Sequence, residues 1–204
     1  LIKNKIGKDA HNAFLKLLPF AYKADLAKYC ISYLYGGWYA DISIKFLKGV
    51  NLNNVDFLGF QDLGDGTFKP YTLPYSIQSS LFYSEPKNKI LEKAIEIVIE
   101  NCKYENYGVS PICPTGPGVL GRSFAKFGQK ASQIIGTFTT LTPNHEYKNR
   151  SYILPDGTIF ALHKNAWMKN ASPADLSSFG FKSTNNYLKM WNDKDIYDTS
   201  IKIS

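Results

Sequence analysis

Residues 23–43 of the chain read KADLAKYCISYLYGGWYADIS. The first half of this stretch predicts a helix, because its apolar residues recur three or four positions apart. Asp25, Lys28 and Ser32 are also three or four positions apart, so they line up on a second face of that helix. The apolar face is carried by Ala24, Ala27, Ile31 and Leu34.

The Gly36-Gly37 pair predicts where this helix ends, since glycine adopts the left-handed conformation that terminates helices at no steric cost. Residues 38–40 then predict a short buried strand. Asp41 follows at the carboxyl end of that strand, where open α/β sheets form their ligand crevices. The stretch therefore directs two acidic groups and one basic group toward one point.

The composition indicates an ordinary globular protein. The chain has 204 residues, 44% hydrophobic and 20% charged, which suits a single domain over residues 1–204. Its net charge of +7 favours anionic partners, although a solvated lysine surface explains the charge equally well. A nucleic-acid-binding protein is the least favoured alternative, because no run of five or more basic residues is present. We predict no nucleic-acid partner.

The three cysteines, Cys30, Cys102 and Cys113, are odd in number and widely spaced. They form neither a disulfide framework nor a metal-ligand pattern, which favours a reducing compartment and a buried free thiol at Cys30. No apolar run approaches the length of a membrane span. We therefore expect a cytoplasmic protein, which could associate peripherally with a membrane.

Beyond the opening stretch, helical and strand-like segments alternate, which predicts an α/β fold with a mostly parallel mixed sheet flanked by helices. A short helix near residue 187 precedes an end that we expect to be disordered. The other predicted helices cover residues 8–18, 88–101 and 119–127, and the other predicted strands cover residues 55–60, 79–83, 134–141 and 158–162.

Two later segments carry candidate site residues. The loop Thr115-Gly116-Pro117-Gly118 precedes a helix, so its backbone N–H groups could bind an anionic or hydroxyl-rich ligand. His163 directly follows a strand, and Trp167 is either a stacking platform or part of the core. Gln78 and Asp62 are candidate acceptor contacts, whereas His11 and His145 are expected at the surface.

Two blocks of the opening stretch resemble the DXD-motif glycosyltransferases, which include initiating mannosyltransferases, capsule-type transferases and, more distantly, glucosylating toxins. These blocks are Lys-Ala-Asp-Leu-Ala-Lys-Tyr at 23–29 and Tyr-Gly-Gly-Trp-Tyr-Ala-Asp-Ile-Ser at 35–43. Thr-Gly-Pro at 115–117 and His163 with Trp167 extend the resemblance, which spans residues 17–167 and leaves 168–204 as a C-terminal extension. It implies a GT-A-like, Rossmann-like fold whose first strand would precede Leu1, so the chain resembles an N-terminally truncated fragment.

The resemblance also implies a function. Such enzymes transfer a sugar, here with retention, from a nucleotide-sugar donor to a glycan or glycolipid acceptor, assisted by Mn²⁺ or Mg²⁺. Asp41 would be the catalytic carboxylate. The metal-binding residues implied are Asp41, Ser43 and His163, and the substrate-binding residues implied are Asp25, Lys28, Tyr39, Gln78, Thr115, Gly116 and Trp167.

The chain departs from the family pattern at two positions. Ser43 stands where the family has the second aspartate, and a neutral hydroxyl is a weaker ligand for a hard cation. Lys28 stands where the family has arginine, which keeps the charge but loses the bidentate fork. The alternative to an enzyme is therefore a non-catalytic member that binds a nucleotide sugar or a glycan.

Overall fold

The computed structural model describes residues 1–63, 75–127, 130–141, 150–163, 166 and 186–204. Over these residues the helices are α1 (Ile2–Lys5), α2 (Lys8–Lys16), α3 (Phe20–Tyr35), α4 (Lys89–Lys103), α5 (Pro117–Phe127) and α6 (Tyr187–Asn192). Helices α2 to α6 agree with the sequence prediction to within a few residues, and α1 has no predicted counterpart. None of these described helices has the length and apolar character needed to cross a membrane.

The strands of the described residues are β1 (Gly37–Ala40), β2 (Lys45–Phe46), β3 (Phe57–Asp62), β4 (Leu81–Ser84), β5 (Gln133–Thr140), β6 (Arg150–Ile153) and β7 (Ile159–Leu162). They form one sheet, in the order β1-β4-β3-β5-β6-β7-β2. The sequence pattern predicts no strand at β6, and at residues 42–47, which include β2, it leaves a strand and a loop open.

The α/β class and the mixed sheet flanked by helices are confirmed, but the expectation of mostly parallel strands is wrong. Within the described part of the chain, β3 and β5 pair in parallel and every other pairing is antiparallel. The reason lies in the connections. β6 and β7 are joined by a tight turn at residues 155–157, and a short turn can join only antiparallel neighbours.

The sheet buries side chains on both faces. On β3, Phe57 packs toward the helices, whereas Leu58 and Phe60 point to the opposite face, as strand alternation requires. The helices cover the first face, and the sheet curls around its own core on the second. The curl brings the two edge strands together, since the Trp38 ring on β1 lies 6.2 Å from the Phe46 ring on β2.

The strand predicted at residues 38–40 is confirmed as β1, but it is an edge strand, and the expectation that it is buried is wrong. Trp38 is 37% exposed, and Tyr39 and Ala40 are half-buried. The predicted helix stop is confirmed, because α3 ends at Gly36 with φ of +66°. These features place the end of β1 at the rim of the sheet.

The expectation of a disordered C-terminal end is also wrong. Ile196 and Tyr197 are buried in the core that the helices share, and Leu17 forms a β-bridge with Tyr197. The Leu18 amide donates to the Ile196 carbonyl at 2.9 Å, and the Asp198 amide donates to the Lys16 carbonyl at 2.7 Å. The final segment is thus tied to the end of α2.

Candidate functional site

The site begins with an ion pair on α3. The Lys28 ammonium lies 2.6 Å from Asp25 Oδ1, and the two side chains are only 7% and 13% exposed. The sequence predicted this polar face, but it assigned the core to the wrong side of the helix. Ile31 is 47% exposed and Ala24 is exposed, whereas Ser32 is buried with the ion pair.

Hydroxyl groups from two segments distant in sequence donate hydrogen bonds to Asp25. Thr115 Oγ1 donates to Asp25 Oδ2 at 2.8 Å, and Ser79 Oγ donates to Asp25 Oδ1 at 3.3 Å. Lys28 Nζ in turn donates to Ser79 Oγ at 3.4 Å. Both carboxylate oxygens therefore have hydrogen-bond donors. A Cβ at Gly116 would approach Asp25 Oδ2 to 3.3 Å, so a side chain there would crowd the carboxylate.

Buried polar groups hold the Thr115-Gly116 loop in place through hydrogen bonds to its backbone. Asn101 on α4 donates to the Pro114 carbonyl at 2.8 Å, and the Tyr29 hydroxyl donates to the Gly116 carbonyl at 3.3 Å. Burial raises the pKa of Tyr29 well above its ordinary value, with Asp25 contributing in the same direction, so this hydroxyl stays a donor at neutral pH. The predicted loop thus lies against the predicted helix face.

Tyr39 connects the ion pair with Asp41. Lys28 Nζ lies 5.0 Å from the centroid of the Tyr39 ring, within the range of a cation–π contact. The Tyr39 hydroxyl donates to Asp41 Oδ1 at 2.8 Å. Burial and the neighbouring Asp41 carboxylate raise the pKa of Tyr39, which keeps its hydroxyl protonated. Asp25, Lys28, Tyr39 and Asp41 therefore form one continuous group.

Asp41 occupies a tight turn between the two edge strands. Its amide donates to the Ser80 carbonyl at 2.8 Å, and its carbonyl accepts from the Ile44 amide at 2.9 Å. Ser43 lies in the same turn. Lys45 pairs with Leu162, so the antiparallel ladder of β2 and β7 brings His163 to the end at which this turn lies.

Gln78 belongs to a second polar group beside the first. Its Nε2 donates to Asp62 Oδ2 at 2.5 Å, and its Oε1 accepts from Ser80 Oγ at 2.9 Å. The Ser80 and Tyr152 hydroxyls lie 2.8 Å apart. Because Ser80 also holds the Asp41 backbone, the two candidate acceptor contacts, Gln78 and Asp62, are linked to the Asp41 turn.

The residues implied as metal ligands supply one carboxylate, one hydroxyl and one imidazole. No group of three or more His, Cys, Asp or Glu residues within the described ranges could hold a metal ion by itself. Mg²⁺ is commonly bound by one or two carboxylates together with substrate phosphates. Of these three residues only Asp41 supplies a carboxylate, so a cation there would need most of its oxygen ligands from a bound diphosphate. The His163 ring also packs edge-on against Phe138, with centroids 5.6 Å apart.

Ser79, Ser80 and Tyr152 are the site residues that the sequence did not single out. A pair of serines at the start of a buried strand was the available signal, because buried hydroxyls need partners. Trp167 and His145 lie outside the described residues, so their predicted roles stay predictions. The three cysteines are free and buried, as expected for Cys30.

No protein-family model and no curated protein matches the chain. Among solved structures, the chain is similar to one described as "PaToxG Glycosyltransferase", with 17% identity and a TM-score of 0.38. The match covers 53% of this chain and 35% of that chain, so this chain spans about a third of that protein's length. We therefore base the functional proposal on the side chains of the site.

Proposed function

We propose that the protein is a GT-A-like glycosyltransferase that moves a sugar from a nucleotide-sugar donor to a glycan or glycolipid acceptor. One observation carries the proposal. The buried Asp25–Lys28 pair has the hydroxyls of Ser79 and Thr115 around it, and the side chain of Tyr39 connects the pair to Asp41.

This grouping suits a sugar for a chemical reason. Sugar hydroxyls both donate and accept hydrogen bonds, and the site offers a carboxylate that only accepts beside an ammonium that only donates. Ser79 and Thr115 make contacts with Asp25 that two adjacent sugar hydroxyls could replace. Asp25 and Lys28 would therefore orient the donor sugar, and the glycine at 116 would allow its ring to approach closely.

Asp41 would hold the donor near its diphosphate, with Tyr39 fixing one carboxylate oxygen. Asp41, Ser43 and His163 would hold Mn²⁺ or Mg²⁺, which supplies charge neutralisation for a departing nucleoside diphosphate. Gln78 and Asp62 lie beside this turn and would contact the acceptor hydroxyl. We propose retention of configuration, as the resemblance implies, and assign no protein nucleophile.

Donor hydrolysis tests the proposal. Purified protein is incubated with UDP-glucose, UDP-N-acetylglucosamine or GDP-mannose and Mn²⁺, and release of the nucleoside diphosphate is measured with and without EDTA. We expect release from at least one donor, and we expect Asp41→Ala to abolish it. Glu100→Gln, an exposed position on α4, is the matched control and should retain wild-type turnover. Unchanged turnover in Asp41→Ala would sink the assignment.

Ser43 favours a second candidate, a non-catalytic protein that binds a nucleotide sugar or a glycan. A serine in place of a carboxylate weakens the hold on a hard cation and removes one negative charge. Calorimetry with UDP or GDP and Mn²⁺ separates the two candidates. Binding without release of product from any donor supports the binding protein, and binding with release supports the enzyme.

A further inference from the structure

Four apolar side chains are exposed around the turn that carries Asp41. Ile42 is fully exposed at 104%, and Phe46, Leu47 and Trp38 are 47%, 46% and 37% exposed. We call Trp38, Ile42, Phe46 and Leu47 the apolar corner. The Trp38 and Phe46 rings lie beside each other, and Ile42 and Leu47 are in the same segment of the chain as Phe46. Groups of exposed apolar residues mark surfaces that bind a partner.

Backbone hydrogen bonds and ring contacts fix the position of the apolar corner. The hydrogen bond from the Ile44 amide to the Asp41 carbonyl closes the turn that presents Ile42. The Leu47 amide donates to the Phe160 carbonyl at 2.9 Å. The Trp38 ring stacks on the buried Phe160 ring with centroids 5.2 Å apart, which anchors the corner to the inner core of the sheet.

Basic residues accompany the apolar corner. Lys45 and Lys48 are exposed and lie in the same segment, and no acidic residue occurs between Asp41 and Asp56 in the sequence. Asp156, on the turn between β6 and β7, interacts electrostatically with Lys48 and offsets part of its charge. The net charge of the whole chain, +7, has the same sign as this segment.

We propose that the apolar corner docks on an anionic lipid bilayer. Large apolar side chains flanked by lysines bind such surfaces, because the side chains enter the boundary between headgroups and acyl chains while the lysines meet anionic headgroups. Docking would place Asp41, next to Ile42, at the bilayer surface, where the sugar of a glycolipid acceptor would be presented. This last consequence rests on the proposed function, whereas the docking itself does not.

Vesicle co-sedimentation tests the docking. The full chain is mixed with phosphatidylcholine vesicles that contain or lack phosphatidylserine, with no donor or acceptor present. We expect binding to the anionic vesicles, reduced about tenfold or more in Ile42→Asp, because the transfer of one isoleucine side chain is lost. Lys45→Gln with Lys48→Gln should reduce the binding about fivefold for each lysine. Val109→Asp, 62% exposed in the loop after α4, is the matched control and should bind like wild type.

Three results would overturn the docking. The wild-type chain could fail to sediment with anionic vesicles, or Ile42→Asp could bind as well as wild type. Alternatively, sedimentation velocity without vesicles could show a dimer that Ile42→Asp dissociates, which would make the apolar corner a contact between two copies. Ile42 loses no packing on substitution, and an unchanged thermal midpoint would show that the variant is folded. Failure of vesicle binding leaves the donor hydrolysis assay, and thus the proposed transferase, unaffected.

Discussion

At the scale of single residues, the Asp25–Lys28 pair is held where water has little access. Removing one charge from such a pair leaves the other buried without a counter-ion, and the cost is larger than the net contribution of the pair. We expect Asp25→Asn to lower the free energy of unfolding by about 3 kcal/mol. Urea denaturation of the variant and of wild type measures this difference. A loss of less than about 1 kcal/mol would show that solvent screens Lys28.

A double replacement separates stability from function. Asp25→Leu keeps the branched shape of the first side chain, Lys28→Met keeps the approximate length of the second, and together they remove both charges. Exchanges of this type in proteins are often neutral or stabilising, so we expect the unfolding midpoint in urea to return near that of wild type. A double variant as unstable as Asp25→Asn would contradict this, because the lost stability would then come from Ser79 and Thr115 left without their carboxylate.

The resemblance implies Asp25, Lys28, Thr115 and Gly116 as substrate-binding residues, and the structure brings all four together. The sequence could not predict that the face of α3 carrying Asp25 and Lys28 is buried. Periodicity counts apolar residues, and it assigns an ion pair to solvent unless the partners on other segments are known. Ser79 is such a partner, and its contact with Asp25 joins residues that are 54 positions apart.

At the scale of elements, the junction of α3 and β1 sets the direction in which Asp41 points. Gly36 has φ of +66°, and a Cβ there would lie 2.6 Å from Pro86 Cδ. Gly37 has φ of +93°, but a Cβ there would meet no atom within 4 Å. Both glycines thus have a positive φ that favours glycine, but only at Gly36 would a side chain meet another residue, Pro86.

We expect Gly36→Ala to destabilise the protein more than Gly37→Ala. Each substitution costs about 1–2 kcal/mol of stability, because alanine is strained at a positive φ. Gly36→Ala adds a clash between the new Cβ and the ring of Pro86, which must be relieved by a shift of the chain. Thermal unfolding of both variants measures the difference. Equal midpoints for the two variants would show that the Pro86 loop yields without cost.

The direction of the strands shows where sequence patterns stop being informative. Alternating helices and strands correctly predicted an α/β fold, and the Gly pair correctly predicted the end of α3. The antiparallel majority among the described strands could not be predicted, since β2 and β6 are short and lack a clear apolar alternation. Those two strands complete the curl that brings His163 toward the Asp41 turn.

At the scale of the whole molecule, buried thiols and phenols predict sensitivity to alkaline pH. Burial raises the pKa of Cys30 and of Cys102 to about 12, from an ordinary value of 9.0. The unfolded chain therefore loses these protons at lower pH than the folded chain. The stability that the two protonated thiols contribute is fully present below pH 9 and is lost as the pH rises from 9 to about 12.

We expect the free energy of unfolding to fall between pH 9 and pH 12, as the pKa values of these thiols require. Each thiol contributes a slope of up to about 1.4 kcal/mol per pH unit. Urea denaturation across this interval measures the slope, and Cys30→Ala should make it shallower. Burial also raises the pKa of Tyr152, which adds to the loss above the ordinary tyrosine value of 10.0. A slope that Cys30→Ala leaves unchanged would show that the thiol ionises as readily in the fold as in the unfolded chain.

The central claim is that the Asp25–Lys28 pair binds the sugar of a nucleotide-sugar donor. The most direct test compares, by calorimetry in Mn²⁺, the affinity of the wild-type chain for UDP-glucose and GDP-mannose with its affinity for UDP and GDP. We predict that one nucleotide sugar binds more tightly than its own nucleoside diphosphate. We also predict that Asp25→Leu with Lys28→Met, although folded, loses this preference and binds the diphosphate unchanged. A double variant that keeps the preference, or a wild-type chain that has none, would contradict the account.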